Sequence, residues 1–331
     1  MLLDHWGRQI TYLRISVTDR CNLRCVYCMP PEGVRLLPHE AMMRYEEIAR
    51  VVAEAAQMGI RRVRLTGGDP LVRPDLPKLV RMIADVPGIE DISLTTNGIL
   101  LDPLAPELRA AGLKRVNISL DSLQPEKFAR ITRGGSLETT WRGIEAAEKA
   151  GLRPVKINVV AMRGVNDDEL PALARLSVEC GWDVRFIELM PVNNQAPWGT
   201  GFPAPSAAYL PTPEIKAILA PLGLETVPEN GSDGPAREFR LKGSSPQAGR
   251  IGFISPVSEH FCQSCNRMRM TADGHFRPCL LYDDEIFFLP ALRRGETAAP
   301  FLQQAVDSKP GGHDLAEGLP DYARSMRQIG G

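Results

Sequence analysis

Two sets of three cysteines carry the most specific chemistry in this sequence. Cys21, Cys25 and Cys28 form C-x3-C-x2-C near one end, and Cys262, Cys265 and Cys279 form C-x2-C-x13-C near the other. Thiolates are the ligands of iron–sulfur clusters. Three of them on one short loop hold three irons of a cubane and leave the fourth without a protein ligand. An open position on a metal is where substrate chemistry begins. Structural zinc takes four protein ligands, and no further Cys or well-placed His follows Cys28 closely, since His39 is eleven residues on. A ferredoxin loop would carry more cysteines nearby. For the second set the metal stays open. A C-x2-C pair alone is half a zinc knuckle. The Asp273-Gly274 turn returns Cys279 to the pair, and His260 or His275 is available to complete a zinc site. The seventh cysteine, Cys180, reads as a small buried hydrophobe. An odd total argues against a disulfide framework.

These thiols need a frame. Up to about residue 190, strand-like and helix-like segments alternate. Strands are expected over 14–17, 62–65 and 155–160, and ending at Leu94-Thr95-Thr96, Asn117-Ile118-Ser119 and 185–189. Ile48, Val51, Val52, Ala55 and Met58 fall at helical spacing. Further helices are expected over 76–84, 104–110, 137–150 and 169–180. Six strands alternating with helices predict a parallel sheet. Right-handed crossovers curl it into a barrel or partial barrel. Polar residues recur at the strand ends: Arg64, Thr66 and Gly68, then Thr95 and Asn97, Ser119 and Asp121, Lys156 and Asn158, and Glu188 and Met190. In a β/α barrel those ends form the active face. Turn chemistry explains any one of them; recurrence in five successive units points to a site.

The sequence divides into a barrel over 1–190, a Pro/Gly-rich connecting segment over 191–249, a cysteine-bearing region over 250–306 and a tail over 307–331. The connecting segment carries one short helix, near 213–219. The third region carries strand candidates at 251–255 and 268–271, with antiparallel pairing across the Asp273-Gly274 turn. The tail, with Pro310, Gly311 and Gly312, is expected to be mobile or laid over the surface. With 331 residues, 44% of them hydrophobic, the chain can build a large core. Its formal net charge of -1 gives no basic field for nucleic acid, so any anion site must be a local cluster. No signal-like start and no run of ~20 apolar residues is present. A cytoplasmic chain is expected, with neither nucleic acid nor membrane as partner.

The first motif, with aromatic Tyr27 before its last cysteine, resembles the signature of the radical S-adenosylmethionine (SAM) superfamily. Thr66-Gly67-Gly68-Asp69-Pro70 resembles that superfamily's glycine-rich SAM motif, with Asp69 where Glu is usual. The second motif resembles the GTP 3′,8-cyclase family of molybdenum cofactor biosynthesis. So do Leu13-Arg14-Ile15-Ser16-Val17-Thr18-Asp19-Arg20-Cys21, Leu94-Thr95-Thr96-Asn97-Gly98, Asn117-Ile118-Ser119-Leu120-Asp121, Arg185-Phe186-Ile187-Glu188 and the ending Ile329-Gly330-Gly331. The resemblance spans nearly the whole chain.

What it implies is specific. The fold would be α/β, a partial (β/α)6 barrel of the radical SAM type, with a smaller C-terminal region carrying antiparallel strands. Two [4Fe-4S] clusters would sit on the two cysteine sets, the first binding SAM and the second the guanine base. A SAM-derived 5′-deoxyadenosyl radical would take the C3′ hydrogen of GTP, and the C3′ radical would attack C8. The product would be (8S)-3′,8-cyclo-7,8-dihydroguanosine 5′-triphosphate, the first step toward molybdopterin. The resemblance assigns Tyr27, Gly68, Ser119 and Met190 to SAM, and Arg14, Arg64, Thr95, Lys156, Arg267, Met268 and Arg269 to GTP. It makes Arg267, Arg269, Gly330 and Gly331 catalytic, with the double-glycine tail entering the site. It implies an electron donor such as flavodoxin or ferredoxin and a downstream cyclic pyranopterin monophosphate synthase, and it allows a homodimer. Arginine forks suit the roughly four negative charges of GTP. Another radical SAM enzyme with an auxiliary cluster, such as a peptide maturase, or a non-catalytic metal-binding protein are the rival readings.

Overall fold

The computed structural model describes residues 1–190, 197–227, 234–313, 324 and 326–329. Six strands lie side by side in chain order and run parallel: β1 (Tyr12–Ser16), β2 (Arg62–Thr66), β3 (Asp91–Thr96), β4 (Arg115–Ser119), β5 (Lys156–Ala161) and β6 (Asp183–Glu188). The helices between them are α1 (Tyr45–Met58), α2 (Leu76–Ala84), α3 (Leu101–Ala110), α4 (Pro125–Thr132), α5 (Leu137–Lys149) and α6 (Leu170–Glu179). The alternation expected from sequence is therefore present, with ends moved by three residues at most. The sequence pattern did not reveal α4. Its apolar contacts come only from Phe128 and Ile131, too few turns for a helical period to register.

The region after residue 250 does not form a sheet of its own. β9 (Ile251–Ile254) pairs parallel with β6, and β10 (Arg267–Met270) pairs parallel with β1. Antiparallel pairing starts only beyond them. β8 (Arg237–Leu241) and β7 (Leu224–Thr226) follow β9, while β11 (His275–Arg277) and β12 (Ile286–Phe287) follow β10. The result is one open twelve-stranded sheet with β12 and β7 at its edges. β7 and β8 lie in the Pro/Gly-rich segment, where composition gave no strand signal. The remaining helices are α7 (Thr212–Leu219), α8 (Leu289–Arg293) and α9 (Ala299–Asp307). No helix among the described residues is long and apolar enough to cross a membrane.

The strand period of two decides what faces where. Leu13, Ile15, Val63, Leu65, Leu94, Ile118, Ile157 and Phe186 turn toward the helices and join one continuous core. Their neighbours in sequence turn the other way. The parallel register places Arg14 beside Arg64 and Arg269, Thr95 beside Asn117, Asn117 beside Lys156, and Asn158 beside Ser119 and Arg185. A β/α barrel usually packs its interior with apolar side chains. Here the inner face is polar and encloses a cavity of about 480 Å³.

Candidate active site

The first cysteine loop leaves the C-terminal end of β1. Cys21, Cys25 and Cys28 all line the cavity, and none is in a disulfide. The loop is anchored from behind by Val26, packed with Ile131, Met162 and Leu189. Its backbone is held by α4: Arg24 N donates to Thr132 O at 3.1 Å and Val26 N to Ile131 O at 2.9 Å. Arg133 adds bonds to Arg24 O at 3.1 Å and Met29 O at 2.7 Å. Tyr27 donates its hydroxyl to Asp121 Oδ2 at 2.7 Å, and Val160 N donates to Asp121 Oδ1 at 2.8 Å. Burial pushes Asp121 up to about 6 against these two bonds. Burial, then the nearby Asp121, Cys28 and Cys21, raises the Cys25 thiol well above its ordinary range.

Gly67 and Gly68 line the cavity and also pack against the cysteine loop. A Cβ on Gly68 would stand 2.2 Å from Arg20 O, and Gly68 N already donates to Thr18 O at 2.9 Å. The glycines let the end of β2 press against the chain that carries Cys21. Asp69, which stands where the motif usually has Glu, has its carboxylate engaged by the protein itself. It accepts from Leu71 N at 2.9 Å, Thr96 Oγ1 at 2.8 Å and Asn97 N at 2.7 Å. Burial pushes its carboxyl up to about 6 against those three bonds. Asn97, fixed in this way, points its amide at Asn22 Oδ1 at 2.7 Å and Cys21 Sγ at 3.8 Å.

The second cysteine set lies at the other end of β1. Arg267 is paired with Tyr12, the first residue of β1, and Cys265 precedes Arg267 by two. β11 runs back along β10 and returns Cys279 to the same end. The turn needs Gly274 at φ +79°, and Thr271 and Asp273 cap it with a 2.6 Å bond. Cys262, Cys265 and Cys279 all line the cavity. Burial works to raise Cys265, but Arg267 and Lys309 outweigh it and bring the thiol down to about 7. His275 is engaged elsewhere, stacked on Phe287 at 4.3 Å and 3.3 Å from Asp273. Among the described residues, no three His, Cys, Asp or Glu side chains converge as a single-ion site needs.

Between the two thiol sets, nine basic residues line the cavity among the described residues: Arg14, Arg62, Arg64, Arg115, Lys156, Arg185, Arg267, Arg269 and Lys309. Its acidic lining is Asp69 and Glu188. Glu188 is bound to Thr212 N at 2.7 Å and to Val257 N and Ser258 N at 3.0 Å. Asp183 pairs with Lys156 at 3.0 Å, and Glu238 lies 3.6 Å from Arg185. The positive excess shows in the titration of the group. Burial, then Arg269 and Arg64, holds Arg14 well below its ordinary value. Burial and then Arg64 bring Arg185 down to about 10, and burial and then Arg267 do the same to Arg269. Burial and then Arg185 bring Lys156 down to about 8 despite Asp183. Such a cluster calls for a polyanion. Thr95 Oγ1 and Asn158 Oδ1 are buried with no hydrogen-bond partner in the structure. A buried polar atom left so costs about 1–3 kcal/mol, which a polar ligand recovers. Six thiols outside any disulfide, a cation cluster and these orphaned atoms fit iron–sulfur clusters and a nucleotide.

The structure brings together Tyr27, Gly68, Ser119 and Met190 at the first thiol set, and Arg14, Arg64, Thr95, Lys156, Arg267 and Arg269 along the same cavity. Met268 does not join them; its side chain faces the core. Gly330 and Gly331 lie outside the described residues. The described residues before them approach the site. Met326 lines the cavity, and Arg269 Nη1 donates to the buried Ile329 carbonyl at 3.4 Å. Arg324 bridges Asp273 at 2.9 Å and Glu285 at 2.8 Å. The start of the tail is not a surface segment either, since Lys309 is only 4% exposed. Cys180 is half-buried at the end of α6 rather than fully enclosed. Sequence reading placed Asn158 at the active face without a role, and did not assign Arg62, Arg115, Arg185 or Lys309 to the site. Strand alternation flags Arg62 from Arg64 and Arg115 from Ser119; Arg185 and Lys309 have no such signal.

A family model described as Radical SAM superfamily matches residues 15–177, and one described as Molybdenum Cofactor Synthesis C matches residues 182–315. The crystal structure of Streptococcus suis SuiB aligns at TM-score 0.58 and 15% identity, over 85% of this chain and 61% of that one. Native anSMEcpe with bound AdoMet aligns at 0.56 and 17%, over 84% and 77%. Fold and thiol placement thus define a radical SAM protein. Among curated relatives, the GTP 3′,8-cyclase of Moorella thermoacetica is 52% identical and that of Pelotomaculum thermopropionicum 50%, each over 99% of both chains. That of Listeria monocytogenes serovar 1/2a is 44% identical over 100% of this chain and 99% of its own. The chain belongs to the GTP 3′,8-cyclase family.

Proposed function

We propose that this chain converts GTP to (8S)-3′,8-cyclo-7,8-dihydroguanosine 5′-triphosphate, the first step of molybdopterin synthesis. The observation that carries this reading is a single cavity with a thiol set at each end of β1 and a cation cluster between them. Cys21, Cys25 and Cys28 would hold the SAM-binding [4Fe-4S] cluster, and Cys262, Cys265 and Cys279 the substrate-binding one. Together with SAM, these groups supply the 5′-deoxyadenosyl radical that removes the C3′ hydrogen of GTP before C3′ closes on C8.

The chain's own side chains do the rest. Arg14, Arg64, Lys156, Arg185 and Arg269 bind the triphosphate, because their charges already repel one another and an anion relieves that repulsion. Thr95 and Asn158 give their unused oxygens to the nucleoside. Tyr27, Gly68, Ser119 and Met190 line the SAM end. Holding C3′ within reach of both C8 and the radical is a task of positioning, and the strand-mounted cations provide it. Met326 at the cavity and Ile329 bonded to Arg269 limit access of water and stray hydrogen donors, and Gly330 and Gly331, which follow Ile329 in the sequence, are the catalytic ending in this reading. Arg267, stacked over Phe261 at 4.7 Å, and Arg269 both feel the charge of the second thiol set. The electron donor in this reading is a flavodoxin or ferredoxin. The product passes to a cyclic pyranopterin monophosphate synthase. Free thiols and iron–sulfur chemistry suit a reducing cytoplasm.

Anaerobic reconstitution followed by incubation with SAM, reductant and GTP tests the reading. About eight irons per chain, 5′-deoxyadenosine and the cyclised nucleotide are expected. Formation of 5′-deoxyadenosine without cyclised nucleotide would reject GTP as substrate and keep only the superfamily chemistry.

A further inference from the structure

We infer that Lys309 is a positioning residue for the second cysteine set, tying its two separate chain segments together and placing a cation beside its sulfurs. This rests on the reading above that Cys262, Cys265 and Cys279 hold a cluster. The three cysteines come from two stretches, 262–265 and 279, with β10 and β11 between them. Lys309 reaches both. Its ammonium donates to Arg267 O at 2.9 Å, two residues after Cys265, and to Pro278 O at 2.6 Å, one residue before Cys279.

The lysine is itself held from outside the site. It follows α9, which packs on α1, β11 and β12. Its carbonyl accepts from Trp6 Nε1 at 3.1 Å. Arg8, locked to Asp4 at 2.6 Å, bonds Cys262 O and Pro310 O at 2.7 Å each, so the N-terminal turn clamps the third cysteine to the same tail segment.

Burying an ammonium is costly unless its charge is answered. Among the described residues, no carboxylate lies within ion-pair distance of Lys309. Its charge acts on Cys265 and Cys279 instead. Two of the three ammonium donors are used on the carbonyls, and the anionic partner is the thiolate set. The first cysteine set has the opposite neighbour, the Asp121 carboxylate. Lys309 therefore stabilises the assembled second cluster twice, by fixing its ligand segments and by balancing its charge.

The test isolates that cluster in the full-length chain. Replacing Cys21, Cys25 and Cys28 by Ser leaves the second set alone, and iron, sulfide and the rate of iron loss to a chelator are measured after anaerobic reconstitution. This parent is expected to hold about four irons. Adding Lys309→Met should speed iron loss on the order of ten-fold, the loss of two charge-assisted bonds. Lys309→Arg should stay within about three-fold of the parent, because it keeps the charge and the donors. With Cys262, Cys265 and Cys279 replaced instead, Lys309→Met should leave the first cluster's iron and release rate unchanged. Equal release from the parent and its Lys309→Met form would overturn the inference. So would equal acceleration in both backgrounds, which would mean general loosening of the fold. A parent that takes up no iron would instead overturn the cysteine assignment on which the inference stands.

Discussion

Asp69 offers a sharp test of how the site is built. Its carboxylate accepts from Leu71 N, Thr96 Oγ1 and Asn97 N at 2.7–2.9 Å, joining the ends of β2 and β3 beneath the first cysteine loop. Each hydrogen bond to a charged group contributes about 1.5–3 kcal/mol, so three contribute about 5–9 kcal/mol. Holding the buried carboxylate ionised costs part of this. Its carboxyl is raised from 3.8 to about 6, which at 1.36 kcal/mol per unit is about 3 kcal/mol. Asp69→Ala should therefore destabilise the chain by about 2–6 kcal/mol in urea unfolding at pH 7. Asp69→Asn keeps one acceptor oxygen and should cost less. The sign of the pH dependence follows from the raised value. Native Asp69 holds its proton longer than the unfolded chain does, so its contribution is full below about pH 4 and is lost as pH rises through about 6. The wild-type advantage over Asp69→Asn should narrow by about 1–1.5 kcal/mol between pH 5 and pH 7. Groups common to both proteins cancel in that difference. An Asp69→Ala cost below about 1 kcal/mol, or a gap that stays constant or widens across this range, would refute the account.

Two further outcomes are expected. Lys156→Met should weaken GTP binding about 10–100-fold by equilibrium dialysis, leaving SAM binding within about two-fold; since Lys156 is brought down to about 8, wild-type GTP affinity should fall as pH rises through that value, and Lys156→Arg should flatten the fall. Gly68→Ala would put a methyl 2.2 Å from Arg20 O; the displaced loop should lose the first cluster, halving the iron content while the second cluster's spectrum persists.

The chemistry-bearing residues were legible in the sequence because their signals are local. C-x3-C-x2-C is one loop, the helices of the barrel repeat over several turns, and polar residues recur at each strand end. Elements without a local period were not legible. α4 is only eight residues long, yet it holds the first cysteine loop through Ile131, Thr132 and the adjoining Arg133. Nor could sequence show the company some residues keep. Gly68 packs against Arg20, Asp69 accepts from Leu71 N, Asn97 N and Thr96 Oγ1, and Met268 turns to the core between two arginines that face the cavity.

By itself, then, the sequence determined the ligand types, the αβ alternation and the family. The tertiary structure alone decided that both cysteine sets share a cavity. β10 returns from more than two hundred residues away to pair with β1 in a register that sets Arg269 beside Arg14. It decided equally that Arg115 and Arg185 join that cluster and that Lys309 braces the second cysteine set. The physical reason is that strand register and burial depend on partners far along the chain. A single residue's type says what it can bond, and only packing says what lies within 3 Å of it.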